Sequence, residues 1–224
     1  MKQQQAKLQT TSFCPLPKKA AFADTAIILA GGKSSRFGGD KRKTLIDGVP
    51  LLEHVMRQLQ PLFGQIIVGD NRPEQYSLAV QQVPDMITGS ALAGLYSGLS
   101  HARSLYSFVV ACDMPFINVN YIAYLKKQLS QQSYLAAATL YEDWGEPLHG
   151  FYHQALQVPL AEFLLSGQKS MFRFLQSQQE QVLFVPEAVA RGFSPDWRMF
   201  FNINTPKDLE EYHILKQWTE NLAT

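Results

Sequence analysis

Apolar residues along this chain follow two patterns: short continuous runs, and longer stretches with a helical repeat. The continuous runs predict strands at Ala26–Ala30, Gln65–Gly69, Ser107–Cys112, Leu135–Leu140 and Val182–Val185. Apolar residues three or four positions apart predict helices from Pro50 to about Leu62, at Ala91–Arg103, Val119–Leu129, Leu156–Leu164 and Met171–Leu175, and from Thr205-Pro206 onward. Strands that are apolar throughout and alternate with helices are typical of an α/β fold with a parallel sheet covered on both faces.

The same pattern divides the chain into two parts. Residues 1–24 are rich in Gln, Lys and Thr and contain no long apolar run, so we expect a flexible N-terminal tail. Residues 25–224 carry all of the strand–helix alternation, and we expect them to form one domain. Ligands of parallel sheets bind beyond the carboxyl ends of the strands, which is where candidate chemistry should lie.

Composition and charge narrow the functional classes. Twenty basic and nineteen acidic residues give a net charge of +1, which argues against a general nucleic-acid-binding protein. No apolar run approaches the roughly 20 residues that a membrane span requires. The two cysteines, Cys14 and Cys112, form neither a disulfide framework nor a zinc-binding spacing, and a reducing, cytoplasmic location is expected.

A glycine-rich, basic segment follows the first predicted strand. It contains Gly31, Gly32, Gly38 and Gly39 together with the basic residues Lys33, Arg36 and Lys41. Glycines let backbone N–H groups approach phosphate oxygens, and basic side chains neutralise them. Ile27 stands where a Walker A loop needs its first glycine, so this is not that motif. An ordinary turn with solvated charges is the alternative reading.

A single carboxylate, Asp113, follows the third predicted strand, directly before Met114-Pro115. A carboxylate at the end of a buried parallel strand is well placed to hold Mg²⁺ against a phosphate, although a solvated Asp that starts a turn is the alternative. A basic glycine-rich loop and a carboxylate that each close a strand together favour a site for a nucleoside triphosphate and Mg²⁺.

Several other polar or reactive residues are interpreted as structural. We expect His149 and His153 to be partly buried on one face of a strand-like segment, and Cys112 to belong to the core. Three basic residues are expected to be solvated loop charges: Lys33, Arg42 and Lys43.

Longer motifs resemble one family. The segment LAGGKSSRFGGDK at Leu29–Lys41, followed by DGVPL at Asp47–Leu51, is similar to the N-terminal signature of the molybdenum cofactor guanylyltransferases, the MobA family. Further similar segments are GSALAGL at Gly89–Leu95, ACDMPF at Ala111–Phe116, EPLHGFY at Glu146–Tyr152 and FNINTP at Phe201–Pro206. The resemblance covers the chain from about Thr25 to about Tyr212.

This resemblance implies a Rossmann-like three-layer α/β sandwich with a mostly parallel sheet. It implies a nucleotidyltransferase that transfers GMP from GTP to the terminal phosphate of molybdenum-molybdopterin, with Mg²⁺ as cofactor and pyrophosphate as the second product. It also implies that the protein functions together with cofactor-insertion proteins and molybdoenzymes.

Residue roles follow from the matching positions. The resemblance places GTP against Leu29, Ala30, Gly31, Gly32, Lys41, Asn71, Asp85 and Asp113. It assigns Mg²⁺ to Asp113 and the molybdopterin side to Asn202 and Asn204, with Glu146 near the second substrate. Two polyanionic substrates repel each other, so their charge must be neutralised during the reaction. We therefore expect three catalytic residues: Arg36, Lys41 and Asp113. Trp197 is either a core residue or an aromatic beside the pterin.

The chain departs from the family pattern at two places that affect recognition of the nucleotide base. Gly69-Asp70-Asn71 retains only the second Asn of an N-x-N pattern, and the Gly89–Gly94 loop has an insertion and lacks a Pro. A cytidylyltransferase that acts on molybdopterin or on a sugar or polyol phosphate is therefore a second hypothesis. A third, from another class, is a non-catalytic carrier of the cofactor or a nucleotide.

Overall fold

The predicted apolar runs lie in a central sheet of seven strands. The computed structural model describes residues 21–31, 41–71, 78, 80–84, 90–142 and 144–222. The strands are β1 (Thr25–Leu29), β2 (Leu45–Ile46), β3 (Val49–Pro50), β4 (Gln65–Gly69), β5 (Gln81–Val83), β6 (Tyr106–Ala111), β7 (Ala136–Tyr141), β8 (Trp144–His153) and β9 (Val182–Pro186). β2 and β3 pair with each other as a separate hairpin.

Helices connect most of these strands, and polar side chains mark where several of them begin. They are α1 (Leu51–Leu59), α2 (Ala91–His101), α3 (Val119–Gln131), α4 (Gln157–Leu165), α5 (Met171–Ser177), α6 (Glu187–Arg191) and α7 (Pro206–Leu222). Ser90 and Asn118 accept hydrogen bonds from backbone N–H groups in the first turns of α2 and α3. Thr205 and Asp208 cap α7 reciprocally, as the sequence predicted.

The strand order is β5-β4-β1-β6-β8-β7-β9, and one strand runs against the others. β8 is antiparallel to both of its neighbours, β6 and β7, whereas the other strand pairs of this sheet are parallel. The α/β class and the mostly parallel sheet are therefore confirmed. The all-parallel sheet that the apolar pattern suggested is wrong at β8, whose amino end lies at the edge where the parallel strands end.

Side chains of β1 alternate between two hydrophobic cores, one on each face of the sheet. Ala26 and Ile28 pack on the face covered by α1 and α3. Ile27 and Leu29 pack on the face covered by α2, α4 and α5. Because both faces are buried, β1, β6 and β7 are apolar at nearly every position, which is the pattern seen in the sequence.

A third, smaller core joins the β2–β3 hairpin to α7. Ile46 and Tyr212 are buried in it. The Tyr212 hydroxyl and the Lys216 ammonium both donate hydrogen bonds to Asp47, at 2.9 and 2.8 Å. These contacts dock α7 beside the segment that links β1 to α1.

The expected N-terminal tail meets the domain at residues 21–23. The carbonyls of Ala21 and Phe22 accept hydrogen bonds from the backbone of Leu105 and Tyr106, and Ala23 is buried. Residues 1–20, including Cys14, lie outside the described residues, so the predicted tail stays a prediction. Within the described ranges, no helix combines the length and apolar character that a membrane span requires.

Candidate functional site

The carboxyl ends of four neighbouring parallel strands form the floor of the candidate site. The backbone N–H of Ala30 donates to Gly69 (3.0 Å), and that of Cys112 donates to Leu29 (3.1 Å). The N–H of Asp70 donates to Val83 of β5 (3.1 Å). These bonds hold the strand ends level, so the segments that follow them open on one edge of the sheet.

Five of the predicted site residues are on this edge. Leu29 and Ala30 are buried at the end of β1. Gly31 and Asn71 are exposed beyond β1 and β4. Asp113 lies in the turn after β6 and is 6% exposed. The edge thus combines exposed backbone, an amide and a carboxylate, which are groups that can bind a nucleotide and a hard cation.

Asp113 is joined directly to the Asn202–Asn204 segment. The backbone N–H of Ile203 donates to the carbonyl of Asp113 at 2.9 Å, and the Ile203 side chain is fully buried. The two flanking asparagines are half-buried (Asn202) and exposed (Asn204). The Asn202 amide donates to the carbonyl of Phe200, which leaves its amide oxygen as the acceptor end of the group.

β8 brings a second carboxylate, Glu146, to the same edge. Val109 of β6 pairs with Gly150 of β8, and Asp113 and Glu146 each lie four residues beyond that pair toward the edge. Burial raises the pKa of Glu146 to about 7, and the charge of Asp113 raises it further. The N–H of Leu148 donates to Glu146 at 3.2 Å and opposes that rise.

A wide bulge in β8 determines where Glu146 lies. Ala137 of β7 pairs with Phe151 and Thr139 pairs with Glu146, so one residue of β7 is opposite four residues of β8. Within the bulge, His149 has a left-handed backbone (φ 57°). A wide β-bulge of this kind bends a strand and re-aims its side chains. The bulge lies between the part of β8 that pairs with β6, Gly150–His153, and Glu146 at the sheet edge.

His149 is structural, as expected, and more deeply buried than the sequence suggested. It packs edge-to-face against Phe108, and its Nε2 accepts the backbone N–H of Asn118 at 3.3 Å. Burial lowers the pKa of His149 to about 3, so the ring is neutral at physiological pH. His153 is half-buried at the far end of β8, so the two histidines do not share a site.

The expectation that Arg42 is a solvated loop charge is wrong. Its side chain is 2% exposed and forms an ion pair with Asp70, which is 1% exposed. Arg42 lies in a short 3-10 turn, Lys41–Lys43, and Asp70 directly follows β4. The exposed Lys43 does match the expectation for loop charges.

The amino end of α2 also reaches the site edge. Ser90 accepts the N–H of Ala93 at 3.2 Å, which sets the start of the helix. A Cβ atom placed on Gly69 would lie 3.7 Å from the Cα of Gly94. The first turn of α2 therefore lies beside the end of β4 at position 69, where the family pattern has Asn. A helix amino end near a strand terminus favours an anion.

The sequence left two roles open for Trp197, a core residue or an aromatic beside the pterin. In the structure it packs against other side chains. Its ring centroid is 4.8 Å from that of Phe200 and 5.4 Å from that of Tyr141, and the Arg191 guanidinium lies over it. These contacts favour the packing role. Cys112 is buried and forms no disulfide, in agreement with its predicted place in the core.

Some predicted site residues lie outside the described residues. They are Gly32, Arg36 and Asp85, together with Lys33 among the loop charges. Lys41 is described only as the first residue of its turn, without its side chain. Their roles stay predictions from the family resemblance.

The donor chemistry at this edge fits a hard divalent cation. Asp113 supplies carboxylate oxygens, whereas the nearby His149 and Cys112 are buried in the core. Within the described part of the chain, no three His, Cys, Asp or Glu side chains come together as a metal site. Mg²⁺ is commonly held by one or two carboxylates and completed by substrate phosphates and water, so this edge fits it.

Comparison with known sequences agrees with the arrangement. Residues 26–182 match the family described as the MobA-like NTP transferase domain. A molybdenum cofactor guanylyltransferase of Syntrophotalea carbinolica is 43% identical over 84% of this chain and 90% of its own length. A probable molybdenum cofactor guanylyltransferase of Peptoclostridium acidaminophilum is 38% identical over 86% of this chain and 90% of its own length.

Solved structures show the same fold. Molybdopterin-guanine dinucleotide biosynthesis protein A from Archaeoglobus fulgidus superposes with a TM-score of 0.73 at 25% identity, over 86% of this chain and 98% of that one. The 4-diphosphocytidyl-2C-methyl-D-erythritol synthase from Anaerococcus prevotii gives a TM-score of 0.64 at 14% identity, over 89% and 100% of the two chains, a likeness of fold alone.

Proposed function

Because this chain belongs to the MobA-like NTP transferase family and is a nucleotidyltransferase, we propose that it transfers GMP from GTP to the terminal phosphate of molybdenum-molybdopterin. The products are the guanine dinucleotide form of the cofactor and pyrophosphate. The observation that carries the proposal is the convergence of the family's separate motifs on one sheet edge, where the Asn202–Asn204 segment is hydrogen-bonded to Asp113. A cytoplasmic location and hand-over to insertion proteins and molybdoenzymes are parts of the same proposal.

The reaction asks the protein to align two polyanions. The acceptor phosphate oxygen forms a bond to the α-phosphorus of GTP while the bond from that phosphorus to the β-phosphate oxygen breaks. The electron pair leaves with pyrophosphate, so negative charge accumulates on the leaving group. Positioned cations and N–H groups that face this charge lower the barrier, because they need no reorganisation during the reaction.

Residues of this chain divide that task. In the proposal, the backbone at Leu29–Gly31 and the Lys41 side chain bind the triphosphate, and Arg36 contacts a pair of phosphate oxygens. Asn71 and Asp85 lie on the nucleoside side. Asp113 holds Mg²⁺, which when bound supplies charge neutralisation and polarises the phosphate oxygens.

The acceptor is proposed to bind on the β8 side of Asp113. Asn202 and Asn204 flank the contact to Asp113 there, and Glu146 lies on the neighbouring strand. Because the pKa of Glu146 is raised to about 7, this carboxyl carries less negative charge at neutral pH than an exposed Glu. Reduced negative charge beside an incoming phosphate lowers the repulsion that the acceptor meets.

Removal of the Asp113 carboxylate tests this assignment. Pyrophosphate release from GTP and molybdenum-molybdopterin is measured with Mg²⁺ for the wild type, Asp113→Asn and Asp24→Asn. We expect Asp113→Asn to lose about 100-fold or more in turnover. Asp24 precedes β1 at the opposite end of the sheet and accepts the N–H of Gly64, so Asp24→Asn should keep wild-type turnover. Equal turnover of Asp113→Asn and wild type would contradict the proposed site.

A further inference from the structure

The ion pair between Arg42 and Asp70 joins the turn that follows the glycine-rich loop to the residue that follows β4. Both side chains are almost completely buried. Arg42 is in the turn that closes the loop, and Asp70 is the first residue after β4. The pair is therefore a contact between the far end of the loop and the floor of the candidate site.

The residues on either side of the glycine-rich loop contact two consecutive residues at the end of β4, Gly69 and Asp70. At the start of the loop, the N–H of Ala30 donates to the carbonyl of Gly69 at 3.0 Å. At its finish, Arg42 pairs with the carboxylate of Asp70. The two contacts bring Gly31 and Lys41, which the resemblance assigns to GTP, to one place at the end of β4.

Other contacts already secure the chain immediately after this turn. The N–H of Leu51 donates to the carbonyl of Thr44 at 2.9 Å, and Leu51 is fully buried at the start of α1. The backbone of Asp70 is also bound to β5 through the carbonyl of Val83. The ion pair therefore adds a constraint on where the Lys41–Lys43 turn lies relative to β4, beyond what the adjoining elements impose.

Energetics favour a positional role over a stabilising one. Withdrawal of two charges from water costs several kcal/mol per ion, and their mutual attraction often does no more than repay it. Apolar replacements of similar volume for a buried pair are often neutral or stabilising. The buried pair is thus weak evidence for added stability. What it fixes is geometry, since the rigid, planar Arg42 guanidinium is held against the Asp70 carboxylate through its Nη1.

We propose that Arg42 and Asp70 are positioning residues: their ion pair holds the Lys41–Lys43 turn beside the end of β4 and thereby sets the affinity for the nucleoside triphosphate. The inference rests on the proposed function, because that function places the triphosphate at Gly31 and Lys41. Neither Arg42 nor Asp70 is assigned a contact with the substrate.

The test compares two double variants. The first, the neutral pair, combines Arg42→Met and Asp70→Leu. The second, the control pair, combines Arg57→Gln and Glu53→Gln. The control removes an ion pair from α1 whose Arg side chain is 55% exposed. Four quantities are measured for each protein: melting temperature, dissociation constant for GTP with Mg²⁺, KM and kcat for GTP, and hydrogen exchange of the amides of residues 41–44.

We expect the neutral pair to melt near the wild-type temperature and its dissociation constant and KM for GTP to rise about 10- to 100-fold. Its kcat should fall as well, because the same turn carries Lys41, and its amides at 41–44 should exchange faster. Arg42→Lys keeps the charge without the planar fork, so its affinity should be intermediate. The control pair should match the wild type in all four quantities.

A folded neutral pair that binds GTP as tightly as the wild type overturns the inference. If the neutral pair does not fold, Arg42→Lys with unchanged affinity for GTP overturns it instead. A wild type that binds CTP but not GTP overturns the proposed guanylyl transfer, and the same comparison is then made with CTP. A wild type that binds neither nucleotide overturns both.

Discussion

Glu146 shows how the fold gives an ordinary residue a particular chemistry. In sequence it is an acidic residue before Pro147. In the structure it is half-buried on β8 at the edge that carries Asp113, and burial raises its pKa to about 7. A carboxyl with this pKa can either donate or accept a hydrogen bond near neutral pH, which suits the place beside the acceptor phosphate that we propose for it.

Lys41 is expected to contribute to turnover rather than to stability. In the proposed reaction its ammonium neutralises charge on the leaving pyrophosphate. Lys41→Met should therefore lower kcat about 100-fold, the usual effect of removing one preorganised charge-stabilising group. Lys43→Met, at the exposed end of the same turn, is the matched control. Steady-state kinetics and thermal melting of both variants check this, and near-wild-type turnover of Lys41→Met would remove Lys41 from the mechanism.

His149 should make the protein less stable in acid. Its folded pKa is about 3, whereas an unfolded His titrates near 6.5, so below pH 6.5 the unfolded chain binds a proton that the folded chain does not. The free energy of unfolding should therefore decrease from pH 6.5 toward pH 3, by up to about 1.4 kcal/mol per pH unit from this residue.

Urea unfolding at pH 7, 6, 5 and 4 measures this effect. The comparison is with His149→Asn, since Asn does not titrate and tolerates the left-handed backbone at this position. The variant should be less stable at pH 7 because it loses packing, yet its stability should fall less steeply in acid. Parallel curves for the two proteins would show that His149 does not carry the acid sensitivity.

Arg42 marks the limit of residue-level reasoning from sequence. A solvated loop Arg and a buried, paired Arg have the same local sequence signal, namely a basic residue in a polar segment. The difference depends on Asp70, which is 28 positions away and becomes a neighbour only through the pairing of β1 with β4. By contrast, the position of Asp113 at the sheet edge was predictable because it directly follows a predicted apolar strand.

At the scale of elements, the direction of β8 is what the sequence pattern did not predict, although the segment around His149 and His153 was expected to be strand-like. The direction of β8 depends on which strands it pairs with, and a connection of only two residues, 142–143, from β7 leaves no room for a helical crossover. Its bulge and Pro147 also interrupt the apolar run. β5 was missed for a simpler reason, since three residues, two of them Gln, give no apolar run.

Gly150 is the position at which the β8 bulge depends on the absence of a side chain. A Cβ atom there would lie 2.5 Å from the carbonyl oxygen of Ala137, so β8 would have to move away from β7. We expect Gly150→Ala to lower the free energy of unfolding by about 1–3 kcal/mol. It should also lower turnover, because movement of β8 displaces Glu146.

Gly69→Ala is the control for that substitution. Its Cβ would meet no atom closer than 3.7 Å, which is an ordinary contact. Denaturant unfolding of the two variants should therefore show a clearly larger loss for Gly150→Ala. Equal losses would mean that the bulge is more adaptable than its backbone contacts indicate.

At the scale of the whole molecule, segments far apart in the sequence meet at one sheet edge. The loop after β1, the turn after β6, the start of β8 and the segment before α7 all open there. The strand–helix alternation predicted this edge, since parallel strands place their carboxyl ends together. It could not predict that Ile203 would bind Asp113, because that contact joins residues 90 positions apart and depends on the path of α7.

The identity of the transferred nucleotide tests the central claim most directly. Purified protein is incubated with molybdenum-molybdopterin, Mg²⁺ and equal concentrations of GTP, CTP and ATP, and the dinucleotide product is identified by mass spectrometry. The account predicts the guanine dinucleotide, with pyrophosphate formed in equal amount. A cytosine dinucleotide would contradict guanylyl transfer and direct attention to Gly69 and the first turn of α2, and no dinucleotide from folded protein would contradict the proposed acceptor.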